Sequence, residues 1–524
     1  MRVDGDPILE TRYGALRGKR RDGLALFRGV PYAAPPTGPL RFRPPRAPKP
    51  WEGLRDALRP APPAPQLPGG IAAMLGASVE GCDEDCLRLE IWTPGLADGV
   101  RRPVLVWLHG GGFTTGAGSL ALYDGSTLAR EGDVVVVSVG YRLGVLGWLA
   151  LPELADGGAD AAGEGGADGA EPPAWGNFGL LDQIAALRWV REHAEALGGD
   201  PENVTLFGES AGAMSVGTLL GCPRARGLFR RAILQSGAAH HVHTPEAAAP
   251  VARAVLDALD VGPRDLERLR TLPMEALLDA QRRVLEMPLP EVRQLRFQPV
   301  VDGDVLPRHP LEAVAAGNAA GVDVIAGTNL DEYRLWGLTD RRAAELDEDA
   351  LLRRCRRNIP GEHPEEGPHA ERAVRTYRRA RHPELPTEPP DLWYAIESDR
   401  IFRYPAMRLL DLQRPHAPGV RAYLFTWSSP VLGGRLGSCH ALDLPFVFGR
   451  VAHPALRRFV GEDPAAEALS AQMRGAWLAF ARGEAPEGWP VYTQEGRETR
   501  VLGPEVGVEP APRETERAFW EGLL

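Results

Sequence analysis

The sequence predicts an α/β fold with a large, mixed and mostly parallel central sheet flanked by helices, and three observations carry that expectation. Short, dense apolar runs at Arg102–Leu108, Val204–Phe207 and Gly321–Ala326 read as strands buried on both faces. Each run is followed by a loop rich in glycine or in polar side chains. Between the first two runs, Leu180, Leu181, Ile184, Leu187 and Val190 fall at helical spacing, which predicts a helix over Gly179 to Leu197 packed on the sheet.

Taken in chain order, the first strand leads into His109-Gly110-Gly111-Gly112-Phe113. Consecutive glycines let a backbone fold close to a bound molecule and turn its N–H groups toward one point, the arrangement that stabilises a tetrahedral oxyanion. The second strand leads into Gly208-Glu209-Ser210-Ala211-Gly212, a G-x-S-x-G pentapeptide. It reads as a nucleophile elbow: glycines at both flanks avoid a Cβ where a sharp strand-to-helix turn must expose the Ser210 hydroxyl. Small residues from Ala211 to Val216 continue as a helix, whose N-terminal partial charge favours a developing oxyanion near Ser210.

A serine hydroxyl needs a base to take its proton and a third group to orient that base. The strand at Gly321–Ala326 is followed by Gly327-Thr328-Asn329-Leu330-Asp331-Glu332, which puts two carboxylates on a loop past its end. A further strand candidate, Arg421–Trp427, precedes a glycine-containing loop with Cys439-His440. The order Ser210, acid, His440 is that of an α/β-hydrolase fold, and from these residues alone either Asp331 or Glu332 serves as the acid.

These motifs together resemble those of the type-B carboxylesterases, the family that includes bacterial para-nitrobenzyl esterases, animal liver carboxylesterases and cholinesterases. Phe27-Arg28-Gly29-Val30-Pro31-Tyr32-Ala33, Glu84-Asp85-Cys86-Leu87, Gly176-Asn177-Phe178-Gly179-Leu180-Leu181-Asp182-Gln183 and Ser398-Asp399-Arg400-Ile401-Phe402 are similar to other blocks of that family. The resemblance implies a serine carboxylesterase acting on small-molecule esters through an acyl-enzyme, with no cofactor and no metal. It implies Ser210 as nucleophile, Glu332 as acid, His440 as base, and the N–H groups of Gly111, Gly112 and Ala211 as the oxyanion hole. Tyr333 departs from the family pattern, which has glycine after the glutamate. Because the base must be neutral to accept a proton, activity is expected to rise through roughly pH 6 to 8, as a free imidazole titrates.

His240, His241 and His243 form a cluster after Ala232–Gly237. Neighbouring histidines on an extended segment point to opposite faces, and no cysteine or carboxylate cluster adjoins them, so a zinc site is not expected. The resemblance gives them a second reading, as walls of the substrate pocket with Phe113, and that reading stays open beside a purely structural one. His109 resembles a residue with a hydrogen-bonding role in the family. Trp148 and Trp175 read as core or pocket wall.

With 524 residues the chain exceeds the usual single-domain length, but the resemblance implies one large α/β unit, 1–524, with insertions. Charge-mixed segments at 245–291 and 341–381 read as helical caps over the site, and 156–173, rich in Gly, Ala, Asp and Glu, reads as a low-complexity surface loop. A net charge of −10 argues against nucleic acid as a partner, since binding phosphate backbones takes a concentrated basic face. Met1–Pro7 lacks the pattern of a secretory signal, and no apolar stretch is long enough to span a membrane, so a cytoplasmic location is expected. Five cysteines, an odd number, fit free thiols better than a disulfide framework.

Overall fold

A computed structural model of the chain describes residues 5–69, 81–151 and 175–524, apart from 291, 293, 294, 339, 341, 364–366, 382 and 384. The segment 156–173 lies outside the described residues. The chain packs as two compact units: the first takes Met1–Ile233, Ala239–Val322 and Leu478–Glu484, the second Leu234–Ala238, Asp323–Trp477 and Ala485–Leu524.

In the first unit six strands form a mixed sheet in the spatial order Lys19–Arg21, Leu24–Pro31, Arg88–Thr93, Val135–Val139, Arg102–Leu108, Gly199–Glu209. The outer pairings are antiparallel, and Arg102–Leu108 runs parallel to both of its neighbours. Val104, Leu105, Val106, Trp107 and Leu108 are fully buried, as are Val135, Val136 and Val137, which is why these strands read as unbroken apolar runs. Register matters for the site. Leu108 pairs with Gly208, so the loop from His109 and the turn at Ser210 leave the sheet side by side.

The expected helix after Gly176 runs over Phe178–His193, starting one residue earlier and stopping four residues before Leu197. Its buried face carries Asp182, whose carboxylate accepts two guanidinium bonds and a backbone bond from Arg142. With both side chains sealed from water, this pair needs every one of those bonds to offset its desolvation. The segment 245–291 carries helices Pro245–Leu259, Leu266–Thr271 and Met274–Glu286; the side chains of Thr244 and Asp265 cap the first two by accepting from Ala247 and Arg268 N–H groups. Trp148 and Trp175 are both buried, Trp175 against Ala150, Ala248 and Val300.

Glu90 is an ionisable group in this core, nearly sealed from water on the strand Arg88–Thr93. It accepts from the Ala61 and Gly29 N–H groups and faces Arg28. Burial outweighs those partners and pushes its carboxyl up to about 7 from 4.5. A carboxyl raised on folding contributes stability below its unfolded value that is lost as pH rises through its folded value. Replacing Glu90 with Gln is therefore expected to shift relative stability in the variant's favour by about 3 kcal/mol between pH 4.5 and 7. Urea denaturation of both proteins across that range checks it, and parallel stability curves would contradict it.

The second unit contributes parallel strands Asp323–Asn329, Arg421–Phe425 and Glu498–Leu502, with Gly507–Pro510 antiparallel at the edge. Segment 341–381 holds helices Glu348–Asn358 and His369–Arg381. They pack with Pro389–Ser398 and Glu514–Phe519 around Leu351, Tyr377, Trp393 and Trp520. Asn329 pairs with Phe425, so the loops that leave these two strands begin at one level. Among the described residues no helix is long and apolar enough to cross a membrane.

Candidate active site

In the first unit, the strand Gly199–Glu209 turns directly into the helix Ala211–Gly221 at Ser210, whose backbone has φ 54° and ψ −125°. A residue with a Cβ rarely occupies this region, so the sharp strand-to-helix elbow holds Ser210 under backbone strain. Ser210 closes the first helical turn through its carbonyl, which accepts from Met214 N–H at 2.8 Å. Its neighbours Glu209 and Ala211 are buried while Ser210 itself is partly exposed. A Cβ at Gly212 would lie 2.0 Å from the Leu108 carbonyl oxygen, so glycine there is what allows helix and strand to approach.

Beside the elbow lies the glycine loop. Gly111 has φ 117°, and its carbonyl accepts from the N–H groups of Thr114 and Thr115 and from the Thr115 hydroxyl. That closes a tight turn in which the Gly111 and Gly112 peptides lie at the end of the strand that pairs with the elbow strand. Gly110 packs so close to the elbow that an added Cβ would sit 2.5 Å from Glu209 Oε2 and 3.0 Å from Ser210 Cβ. Structure thus brings Gly111, Gly112, Ser210 and Ala211 together in one unit.

His109 is stacked on Tyr141 at 4.4 Å, its Nδ1 lies 2.8 Å from the Gly110 carbonyl oxygen, and its own carbonyl accepts from Tyr141 Oη. Burial lowers its imidazole to about 4, so the ring is neutral at ordinary pH. Phe113 is fully buried against Trp148, with ring centroids 4.7 Å apart. His240 and His241 place their rings 3.9 Å apart, and His243 is built into the backbone through bonds to Pro299 and Val301. Burial lowers the His243 imidazole. Among the described residues no three His, Cys, Asp or Glu side chains are grouped to hold a metal ion.

In the second unit, Glu332 and His440 are joined. Glu332 opens a 3-10 turn, Glu332–Leu338, directly past the strand Asp323–Asn329. The turn brings its side chain back to accept from Asn329 N–H at 2.7 Å, and leaves Oε2 at 2.6 Å from His440 Nδ1. The carboxylate accepts, so Nδ1 carries the proton and Nε2 is the basic nitrogen of the neutral ring. Asp331 is engaged elsewhere, accepting from Ser438 N–H and from Arg334. Rings of Phe402 and Trp336 lie 4.8 and 5.0 Å from the His440 ring and cover it with apolar surface. Phe402 sits in a single π-helical turn, Asp399–Arg403, of the kind often found where a helix is bent to serve a site.

A second carboxyl, Asp443, lies fully buried three residues beyond His440 and has no role in the sequence reading. It accepts from Gln235 Nε2 at 2.7 Å and faces Asn329 Nδ2 at 3.4 Å; Asn329 also donates to the Cys439 carbonyl. Burial, opposed by the Gln235 bond, raises the Asp443 carboxyl to about 6, with the Glu332 charge adding to the rise and the His440 charge opposing it. An ionised Asp443 favours the imidazolium form of His440. Asp443→Asn removes that charge and is expected to move the acid limb of the activity profile toward lower pH. A pH–kcat/KM series on both proteins checks the sign, and an acid limb that stays put or moves up would contradict it.

A sequence model of the Carboxylesterase family matches residues 5–520. The chain is 36% identical over 516 residues to a para-nitrobenzyl esterase of Bacillus subtilis, with 97% of each chain covered. It is 37% identical to a phenmedipham hydrolase of Pseudarthrobacter oxydans, with 95% of each covered. Among solved structures it is similar to a Geobacillus stearothermophilus carboxylesterase, EST55, at 41% identity and a TM-score of 0.84, covering 98% of this chain and 99% of that one. A para-nitrobenzyl esterase structure matches at 36% identity and a TM-score of 0.82, covering 98% of this chain and 100% of that one. On the mixed sheet with its flanking helices and on these matches, the chain belongs to the carboxylesterase family, has the α/β-hydrolase fold, and is a carboxylic ester hydrolase.

Proposed function

We propose that this enzyme cleaves esters of small to medium organic alcohols with Ser210 as nucleophile, His440 as general base and acid, and Glu332 as the carboxylate that orients His440. The strained backbone of Ser210 at the strand-to-helix turn carries the reading, because such a conformation persists only where surrounding structure enforces it. The N–H groups of Gly111, Gly112 and Ala211 are the proposed oxyanion hole. His440 Nε2 takes the Ser210 proton as Oγ bonds to the ester carbonyl carbon, and the carbonyl electron pair moves onto oxygen, facing those amides. Collapse of this adduct breaks the bond to the alcohol oxygen, which receives the proton from His440 and departs. Water then repeats the sequence on the acyl-enzyme and releases the carboxylic acid.

The pocket-lining reading of Phe113, His240, His241 and His243 is retained as part of this proposal, as are the cap roles of helical segments 245–291 and 341–381. The proposed compartment is the cytoplasm, supported by the buried thiols of Cys86, Cys222, Cys355 and Cys439. Para-nitrobenzyl acetate and para-nitrophenyl butyrate are the first substrates to supply, the former because of the relative's name. Saturable release of para-nitrophenol, read by absorbance, and of para-nitrobenzyl alcohol, read by chromatography, is expected. Hydrolysis no faster than in buffer would overturn the substrate reading.

A further inference from the structure

Gln66 stands in an irregular, proline-rich stretch, Arg59-Pro60-Ala61-Pro62-Pro63-Ala64-Pro65-Gln66, that no sequence motif singles out. Its side chain is nevertheless buried and makes three bonds. Nε2 donates to the Gly116 carbonyl at 2.8 Å and to the Ala64 carbonyl at 2.9 Å, and Oε1 accepts from Gly116 N–H at 2.8 Å. A planar carboxamide is the side chain that can satisfy both the donor and the acceptor of one peptide segment at once. The stretch itself is anchored, since Ala61 N–H donates to Glu90 and the Ala61 carbonyl accepts from Ser119 Oγ.

Gly116 is the far limb of the glycine loop. A Cβ on it would lie 2.4 Å from the Gly110 carbonyl oxygen and 2.5 Å from His109 Nδ1, so its peptide rests directly on the start of the loop. Thr115 closes onto Gly111 in the same way, with its carbonyl oxygen 2.1 Å from where a Gly111 Cβ would be. Displacing Gly116 therefore displaces the peptides of Gly111 and Gly112. Hydrogen bonds to an oxyanion weaken steeply with small errors of distance and angle.

We propose that Gln66 is a positioning residue for the oxyanion hole, clamping Gly116 so that the Gly111 and Gly112 N–H groups hold their transition-state geometry. This rests on the assignment of those N–H groups to the oxyanion. The clamp acts on charge that develops only in the transition state, so its loss lowers kcat and leaves ground-state binding nearly unchanged.

The test compares the native enzyme with Gln66→Ala, Gln66→Glu and Ser119→Ala, using para-nitrophenyl butyrate and an alkyl trifluoromethyl ketone that forms a tetrahedral adduct. Gln66→Ala is expected to lower kcat by about 10- to 100-fold at nearly constant KM, with a matching loss of inhibitor affinity. Ser119→Ala loosens the same stretch without touching the clamp, and is expected to lower the thermal midpoint while keeping kcat. Gln66→Glu guards against a Gln66→Ala protein that does not fold. Its carboxyl, when protonated, can still donate to Gly116, so its kcat relative to native is expected to recover toward acid pH. Native-like kcat and inhibitor affinity in both Gln66 variants would overturn the clamp, as would a loss confined to KM. Failure of the ketone to inhibit the native enzyme would instead overturn the oxyanion assignment on which the clamp rests.

Discussion

Replacing Ser210 with alanine is expected to lower kcat toward an activated ester by ~10⁵-fold or more, because no acyl-enzyme can form without Oγ. Residual turnover above buffer would come from the glycine amides and substrate positioning alone. The substitution keeps a Cβ, so the strained φ 54°, ψ −125° backbone is as costly in the variant as in the native chain. Thermal stability is therefore expected to change little in Ser210→Ala. Ser210→Gly, by contrast, is expected to be equally inactive and more stable, by ~1 kcal/mol or more, since glycine enters this region without the side-chain penalty. Steady-state kinetics and thermal unfolding of the two variants separate chemistry from strain. Similar stability of the alanine and glycine forms would mean that the turn is not held under strain.

Glu332→Gln is expected to lower kcat by ~10³- to 10⁴-fold with little change in KM. Glutamine keeps the size of the side chain but no longer fixes the tautomer that leaves Nε2 basic, and it withdraws the charge that stabilises the imidazolium. Asp331→Asn is the matched control. Asp331 holds Ser438 N–H and Arg334, so its loss is expected to cost stability while kcat stays within about tenfold of native. A reversal of the two effects would exchange the roles of the adjacent carboxylates.

These neighbours also show where reading the sequence stops. Strand runs such as Val104–Leu108 announce themselves because burial on both faces demands continuous apolar residues, and glycines mark places where a Cβ cannot fit. The positions of the strands, and with them the loops that carry Ser210, the neighbouring Asp331 and Glu332, and His440, were therefore legible. The choice between Asp331 and Glu332 rested on resemblance alone, because it depends on a 3-10 turn that swings Glu332 back onto Asn329 N–H, and neither carboxylate differs in local pattern. Asp443 left no signal either. It sits in the turn that leads into Leu444–Val447 and is joined to Gln235, some 200 residues earlier, only by folding. Gln66 is the extreme case, a polar residue among prolines whose meaning lies in a loop 50 positions away. Helix Phe178–His193 was found by its apolar spacing, but its end was placed too late, since Ala194 and Leu197 stay buried after the helix stops and continue the pattern.

The histidines after Ser236 show a different limit. Adjacent polar rings in sequence leave a pocket wall and a structural role both open, and the main chain of His243 is tied on both sides to backbone at Pro299 and Val301. Periodicity could not reveal this, because the partners lie on an irregular segment.

Covalent chemistry at one hydroxyl is the claim from which the rest follows. It is tested most directly by treating the native enzyme with a fluorophosphonate ester, or quenching it with acid during turnover of a slow ester, and mapping the adduct by peptide mass spectrometry. One equivalent per chain, carried by Ser210, is the predicted result. Full ester turnover with no adduct on Ser210, or with the adduct on another side chain, would contradict it.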